Sequence, residues 1–442
     1  MLNQKMCKFI LLICTVIIFS GMMGGVFTPI PASSSIPLSN EQKLGKSIFF
    51  DNTLSLNENQ SCATCHVPQI GWTGDDELIN VKGSVYEGSV KTLFGNRKPP
   101  TVAYATFSPI LHFIIDEEQP LFVGGNFYDG RATGEKLGNP AADQAQGPFM
   151  QNVEQGLVDS AYIVHRVCEN KYPVSLTDIW GKEICNISWS KMDSKAGDKE
   201  VVLSSEERSK VEKAYDAIAQ SIAAYEASPE VSAFTSKYDY YLAGKVQLTP
   251  QEAKGLELFN DKGKCAECHI SKPGLHGERP LFTDFTYDNL GTPPNPENPW
   301  YTMPTKINPD GKNWVDKGLG EFLATNRWYK FYANANMGKQ KVPTLRNVDM
   351  RPSSEFKKAY THNGYFKSLK SVVHFYNTRD TIPTCPSRMT EAESLAKNCW
   401  PAPEVKENVN KDELGDLRLT DAEEDAIVAF MKTLTDGYNV SN

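Results

Sequence analysis

Two pentapeptides, Cys62-Ala-Thr-Cys65-His66 and Cys265-Ala-Glu-Cys268-His269, each gather two thiols and an imidazole within about one turn of backbone. A porphyrin can be captured covalently by such a unit, because two thiols add across two vinyl groups on one edge while the following His reaches the iron from the same side. The spacing therefore predicts two attached haems, with thioethers from Cys62, Cys65, Cys265 and Cys268 and with His66 and His269 as iron ligands. Paired cysteines also grip zinc, but the two pairs lie far apart in the chain and each has its own His, which favours haem. A thioredoxin-like motif would need a βαβ setting that is absent.

The ligand on the far side of each iron decides the chemistry. An iron with two protein ligands passes electrons, whereas one left open can bind and activate peroxide. The stretch from Val67 to Phe107 contains no His, Met or Cys, so it offers the first iron no strong second ligand; Lys82, Lys91 and Tyr86 are the weaker candidates there. Downstream of the second motif the candidates are Met337, Met350, His362, His374 and Tyr376.

The elements that carry these residues are duplicated. Leu38-Ser39, Gln42, Gly45 and Ile48-Phe49 match Leu248-Thr249, Glu252, Gly255 and Leu258-Phe259 at one constant offset. In each copy a Ser or Thr is followed three residues on by Gln or Glu, a capping box that predicts a short helix feeding the cysteine loop. Apolar residues at three-and-four spacing predict longer closing helices over Val211–Ala227 and Asp421–Leu434. Between them lie Gly-, Pro- and Asn-rich stretches such as Gly291–Asp310, with no sustained alternation that would build a large sheet. The expected fold is mainly α: two cytochrome c-like helical domains with long irregular loops, each carrying one covalently attached haem, jointed near 242–247.

Composition sets the remaining bounds. In 442 residues, Lys+Arg 46 against Asp+Glu 54 gives a formal charge of −8, which argues against nucleic acid as a partner. Lys5 and Lys8 precede an apolar run from Phe9 to Phe19, the order of a secretory signal, with an uncleaved anchor as the alternative. Export to the periplasm follows. Cys168, Cys185, Cys385 and Cys399 could then form two local disulfides, Cys168 with Cys185 and Cys385 with Cys399, or stay as free buried thiols. The boundaries read 1–32 for a signal peptide or anchor, 33–245 for an N-terminal haem domain and 246–442 for a C-terminal haem domain. Runs such as Asp75-Asp76-Glu77 and Glu423-Glu424-Asp425 read as solvated faces.

The chain resembles the bacterial di-haem cytochrome c peroxidases, including their MauG-type branch. The resemblance runs through Leu44-Gly45-Lys46 with Phe49-Phe50-Asp51, Asp129-Gly130-Arg131, Val342-Pro343-Thr344-Leu345-Arg346-Asn347, and His362-Asn363-Gly364 with Val372 to Asn377. It implies hydrogen peroxide as substrate at the N-terminal haem. The C-terminal haem would receive electrons from a small soluble donor, a cytochrome c or cupredoxin; a protein substrate and a homodimer are further partners it allows. Gln144, Pro148 and Glu154 reproduce the family's distal Gln, Pro and Glu spacing after Asp-Gly-Arg. Glu154 would then take the first proton of peroxide and return it to the leaving oxygen, while Gln144 orients peroxide or water.

Four departures from the peroxidase pattern shape the expectation. The loop after the first haem lacks the His that blocks the iron in enzymes needing reductive activation, so this iron reads as open. Tyr376 falls where the peroxidases carry Met and the MauG type carries Tyr, and a phenolate would favour higher oxidation states. Tyr128 replaces the inter-haem Trp before Asp-Gly-Arg as an aromatic relay. Lys98 replaces an Asn that helps hold calcium, which leaves calcium an open expectation. Two rivals to peroxide reduction stand beside it: a MauG-like oxidase acting on Trp or Tyr of a partner protein, and a non-catalytic di-haem electron carrier.

Overall fold

Ser39 accepts the Gln42 N–H while the Gln42 side chain accepts the Ser39 N–H, and Thr249 and Glu252 repeat the exchange. These boxes open helices α1 (Asn40–Phe49) and α8 (Pro250–Asn260). A computed structural model describes residues 36–116, 119–189, 192 and 197–440; the expected leader over 1–32 lies outside them. The first half continues with α2 (Glu77–Asn80), α3 (Pro140–Met150), α4 (Ser160–Glu169), α5 (Leu176–Trp180), α6 (Ser205–Glu226) and α7 (Lys237–Leu242). After α8 come α9 (Gly318–Thr325), α10 (Leu369–Thr378), α11 (Glu391–Lys397) and α12 (Asp421–Lys432).

Helix α6 begins earlier than the apolar period predicts. Ser204 caps it by accepting the Glu207 N–H, and Glu206 and Glu207 suit the positive end of the dipole. That polar first turn carries no apolar signal. Among the described residues the only strands form two antiparallel pairs, β1 (His112–Asp116) with β2 (Gln119–Val123) and β3 (Tyr287–Asp288) with β4 (Gln340–Lys341). No described helix is long and apolar enough to cross a membrane.

Two hydrophobic clusters organise the packing. Leu44, Ile48, Phe49, Val211, Ile218, Ile222 and Tyr225 belong to one; Leu258, Phe259, Ile427, Phe430 and Leu434 belong to the other. Both sit within one compact unit spanning Pro31–Asn442. Cys168 and Cys185 are disulfide-bonded, as are Cys385 and Cys399, each closing a short loop that restricts the unfolded chain.

The two cores share one contact. A Cβ built on Gly45 would lie 1.8 Å from the Ser221 carbonyl oxygen, and one on Gly255 would lie 1.9 Å from that of Ala426. Glycine thus lets α1 and α8 press backbone against α6 and α12. Replacing either with Ala should lower the unfolding free energy by about 3 kcal/mol, the upper range for overpacking a tight core. Chemical denaturation of Gly45→Ala and Gly255→Ala measures this; an unchanged midpoint would show that the helices can part freely.

Candidate functional site

The two attachment motifs fold alike. Cys62–Thr64 and Cys265–Glu267 each make a single 3-10 turn, and His66 and His269 donate their backbone N–H to the Cys62 and Cys265 carbonyls at 3.0 and 2.8 Å. Each imidazole is then held from behind. His66 Nδ1 lies 3.2 Å from the Trp72 carbonyl and His269 Nδ1 lies 2.8 Å from the Phe282 carbonyl. A ring that donates through Nδ1 keeps its Nε2 lone pair for a metal.

The carbonyls are themselves propped by a duplicated lattice. Trp72 and Phe282 have φ of 63° and 53°, a left-handed conformation uncommon for aromatic residues, which turns their carbonyls toward the imidazoles. Thr101 Oγ1 donates to the Gly71 carbonyl at 2.8 Å, and Thr344 Oγ1 to the Leu281 carbonyl at 2.6 Å. Thr73 Oγ1 donates to the Pro99 carbonyl at 2.6 Å, and Thr283 Oγ1 to the Val342 carbonyl at 2.7 Å. Sequence reading missed that Pro100-Thr101 repeats Pro343-Thr344. The signal was present in the paired Pro-Thr dipeptides, at an offset different from those of the lead-in helices and of the cysteines.

A cavity of about 770 Å³ is lined by all four motif cysteines and both histidines. None of these thiols is in a disulfide, although the other four described cysteines are. Burial pushes the Cys62, Cys65 and Cys265 thiols up to about 12 and Cys268 higher still, because a thiolate there would be poorly solvated. Among the described residues no three His, Cys, Asp or Glu side chains gather to hold a bare metal ion. A porphyrin with unsaturated side groups fits this donor set: two pairs of thiols outside any disulfide, each followed by an imidazole held through Nδ1.

On the first motif's side the cavity is also lined by Gln144, Pro148, Glu154, Tyr128 and Arg131. Asn139 caps α3, which projects Gln144 and Pro148 one turn apart on one face. Pro148 stands in the last turn, and its carbonyl accepts the N–H groups of Gln151 and Gln155 at 3.3 and 3.1 Å, which ends the helix and folds the turn bearing Glu154. Ser89 N–H donates to the Glu154 carbonyl at 2.6 Å and fixes that turn. Burial raises the Glu154 carboxyl above the usual glutamate range, and the Arg131 guanidinium opposes the rise. Arg131 is anchored by Asp129 at 2.6 Å and lies 3.8 Å over the Phe127 ring.

Two lining residues that the sequence reading did not single out are Gln60 and Gln155. Their side-chain nitrogens lie 3.8 and 4.0 Å from the Cys65 and Cys62 sulfurs, and their buried Oε1 atoms have no partner. The weaker candidates for closing the first iron are disposed differently. Lys82 and Lys91 are exposed and do not line the cavity. Tyr86 does line it, with its hydroxyl accepting the Asp76 N–H at 2.8 Å.

Near the second motif Tyr376, from α10, lines the cavity, and Cys265 and Cys268 are its nearest electrostatic neighbours. Burial pushes its phenol well above the ordinary tyrosine range. Of the competing candidates His362 also lines the cavity, whereas His374, Met337 and Met350 do not. His374 Nδ1 is 3.0 Å from Glu424, and Met337 packs with the cluster of Leu319 and Leu323. Met350 gives its carbonyl to Lys358 at 2.9 Å. Glu424 corrects an expectation: it is buried, not solvated, because His374, Asn377 and Lys370 all contact its carboxylate.

Between the motifs runs a buried charge network. Arg97 bridges Asp316 at 2.7 Å and Asp129 at 2.5 Å, and His362 Nε2 lies 3.3 Å from Glu404. Tyr128 packs against the His362 ring with centroids 6.2 Å apart. The Lys98 ammonium donates to Thr73 Oγ1 and the Pro99 carbonyl, both at 2.9 Å, and burial lowers it to about 8.

A family profile described as di-haem cytochrome c peroxidase matches residues 39–247. Methylamine utilization protein MauG of Paracoccus denitrificans is 32% identical over 395 residues, covering 89% of this chain and 88% of its own. Cytochrome-c peroxidase IdrP1 of Denitromonas iodatirespirans is 24% identical over 423 residues, covering 93% of this chain and 86% of its own. The crystal structure of the diheme peroxidase BthA from Burkholderia thailandensis superposes with a TM-score of 0.69 at 27% identity, over 91% of this chain and 87% of that one. With two motifs on one cavity and MauG matched at 32% over nearly the whole chain, this protein is an oxidoreductase that belongs to the di-haem cytochrome c peroxidase family.

Proposed function

We propose that this chain is an exported di-haem c-type peroxidase, built as an N-terminal haem domain over 33–245 and a C-terminal one over 246–442. In this reading it reduces hydrogen peroxide to water beside Cys62, Cys65 and His66, and electrons from a small soluble donor protein enter beside Cys265, Cys268 and His269. The observation that carries it is the meeting of Gln144, Pro148, Glu154 and Arg131 on the cavity wall shared with His66.

The two haems, when bound, would supply irons that exchange electrons and activate peroxide. His66 Nε2 and His269 Nε2 would hold those irons, with four thioethers fixing the porphyrin edges. Glu154 is the proton carrier: its carboxylate accepts a proton from one peroxide oxygen and delivers it to the other, which leaves as water. Complete reduction takes two electrons and two protons per peroxide and yields two waters. The raised Glu154 affinity for protons suits a group that must both take and give one. Gln144 offers an amide to orient peroxide, and Pro148 holds the turn that aims Glu154.

Tyr376 favours a second reading, oxidation of Trp or Tyr on a partner protein, since a phenolate ligand on the second iron disfavours its reduction. Fast peroxide turnover with reduced cytochrome supports the first reading. Poor turnover together with oxidised Trp or Tyr in an added partner supports the second. A ferric spectrum with no high-spin haem would overturn both and leave a plain electron carrier.

Three outcomes test the assignment. Glu154→Gln should lose about 10²–10⁴-fold in peroxide turnover with unchanged haem content, measured by stopped-flow oxidation of reduced cytochrome. The active form of Glu154 is deprotonated, so activity falls as pH drops through its pKa; removing the opposing cation in Arg131→Leu raises that pKa and should move the acid limb of the rate profile to higher pH. Tyr376→Met should raise the reduction potential of the second haem, read by spectroelectrochemistry, because a thioether favours the reduced iron more than a phenolate does.

A further inference from the structure

The shared helix contact puts the two halves in register, residue for residue. Gly45 faces the Ser221 carbonyl and the Tyr225 Cβ, and Gly255 faces the Ala426 carbonyl and the Phe430 Cβ. Ile222 therefore corresponds to Ile427, and both line the cavity. The next positions are Glu226 in α6 and Met431 in α12. Both also line the cavity, and they are 3% and 6% exposed. Met431 is an ordinary core residue. Glu226 is a buried carboxyl where its twin is a thioether.

Among the described residues Glu226 has no hydrogen-bond or ion-pair partner for its carboxyl, and desolvation alone pushes it up to about 8. It acts electrostatically on the Cys62 thiol and on Tyr225, and the Glu154 carboxyl acts on the same thiol. The charged groups on the packed elements are engaged elsewhere. Lys46 of α1 pairs with Glu230 at 2.6 Å, and Asp143 of α3 accepts the Leu137 N–H at 2.9 Å. Arg166 of α4 donates to the Ser55 carbonyl at 2.7 Å. Burying a carboxyl without a partner is unfavourable, so a purely structural role would be better served by the apolar residue that α12 carries.

We propose that Glu226 couples proton uptake to electron uptake at the first haem site, a carboxyl for which α12 has only Met431 at the matching position. This rests on haem attachment at Cys62 and Cys65. One electron arriving from a reductant adds one negative charge to the buried site; Glu226 then binds one proton from solvent at a carboxylate oxygen, and the charge is balanced. In the oxidised state at higher pH the ionised carboxylate opposes electron entry.

The test is spectroelectrochemistry of the holoprotein from pH 6 to 9, with mass spectrometry confirming haem on both motifs. In the native protein the reduction equilibrium of the first haem should shift with pH, approaching about tenfold per pH unit, which is about 59 mV for one electron. In Glu226→Gln the slope should fall for the first haem and not for the second, with Glu154 accounting for what remains, and Glu226→Asp should keep it. Met431→Glu should add to the slope at the second haem. An unchanged slope in Glu226→Gln with both haems attached overturns the inference alone; absence of haem on Cys62 and Cys65 overturns the haem reading with it.

Discussion

In each half a glycine lets one helix lie against the carbonyl of the helix that closes the core. The attachment turn follows directly from α1 or α8, so the position of each cysteine pair depends on how closely that helix sits on α6 or α12. Phe49, Ile222 and Glu226 come from this contact in one half; Phe259, Ile427 and Met431 come from it in the other. The wall of the cavity behind each motif is therefore set by a backbone approach that no side chain larger than hydrogen permits.

From that frame each half builds the same holder for an imidazole. A residue at positive φ aims its carbonyl at His Nδ1, and threonine hydroxyls tie the flanking carbonyls to the following Pro-Thr segment. Left-handed aromatic residues are costly, of order 1–3 kcal/mol each, and persist where surroundings over-determine them. Here the hydroxyl ties do so twice. A ring fixed in this way can present one nitrogen to a metal with little reorganisation.

The halves differ in what they set opposite and beside that holder. The first has the broken helix α3 with its proline-terminated turn, an arginine and two carboxyls, all suited to moving protons. The second has Tyr376 and, beside Cys268, the carboxyls of Glu413 and Asp288. Similar local scaffolds thus carry unlike linings.

The attachment residues, the capped lead-in helices and the disulfide partners were legible in the chain because each depends on local spacing: thiols one turn apart, caps three residues from their partners, cysteines across a short loop. Gln144, Pro148 and Glu154 were singled out by the family resemblance rather than by their own spacing, and all three line the cavity. Other features depend on residues brought together from distant segments. Glu424 looked solvated in its acidic run, yet α10 covers it; Tyr376 could not be separated from His374 by spacing, and only the turn of α10 decides which of them borders the cavity. The equivalence of Glu226 with Met431 was hidden because the two side chains share neither chemistry nor the offset of the helix repeat. Sequence by itself determined which groups can bond to a cofactor, since covalent chemistry is set within a few residues. Tertiary structure decided which carboxyls are stripped of water and left unpaired, because desolvation depends on every element packed around a site.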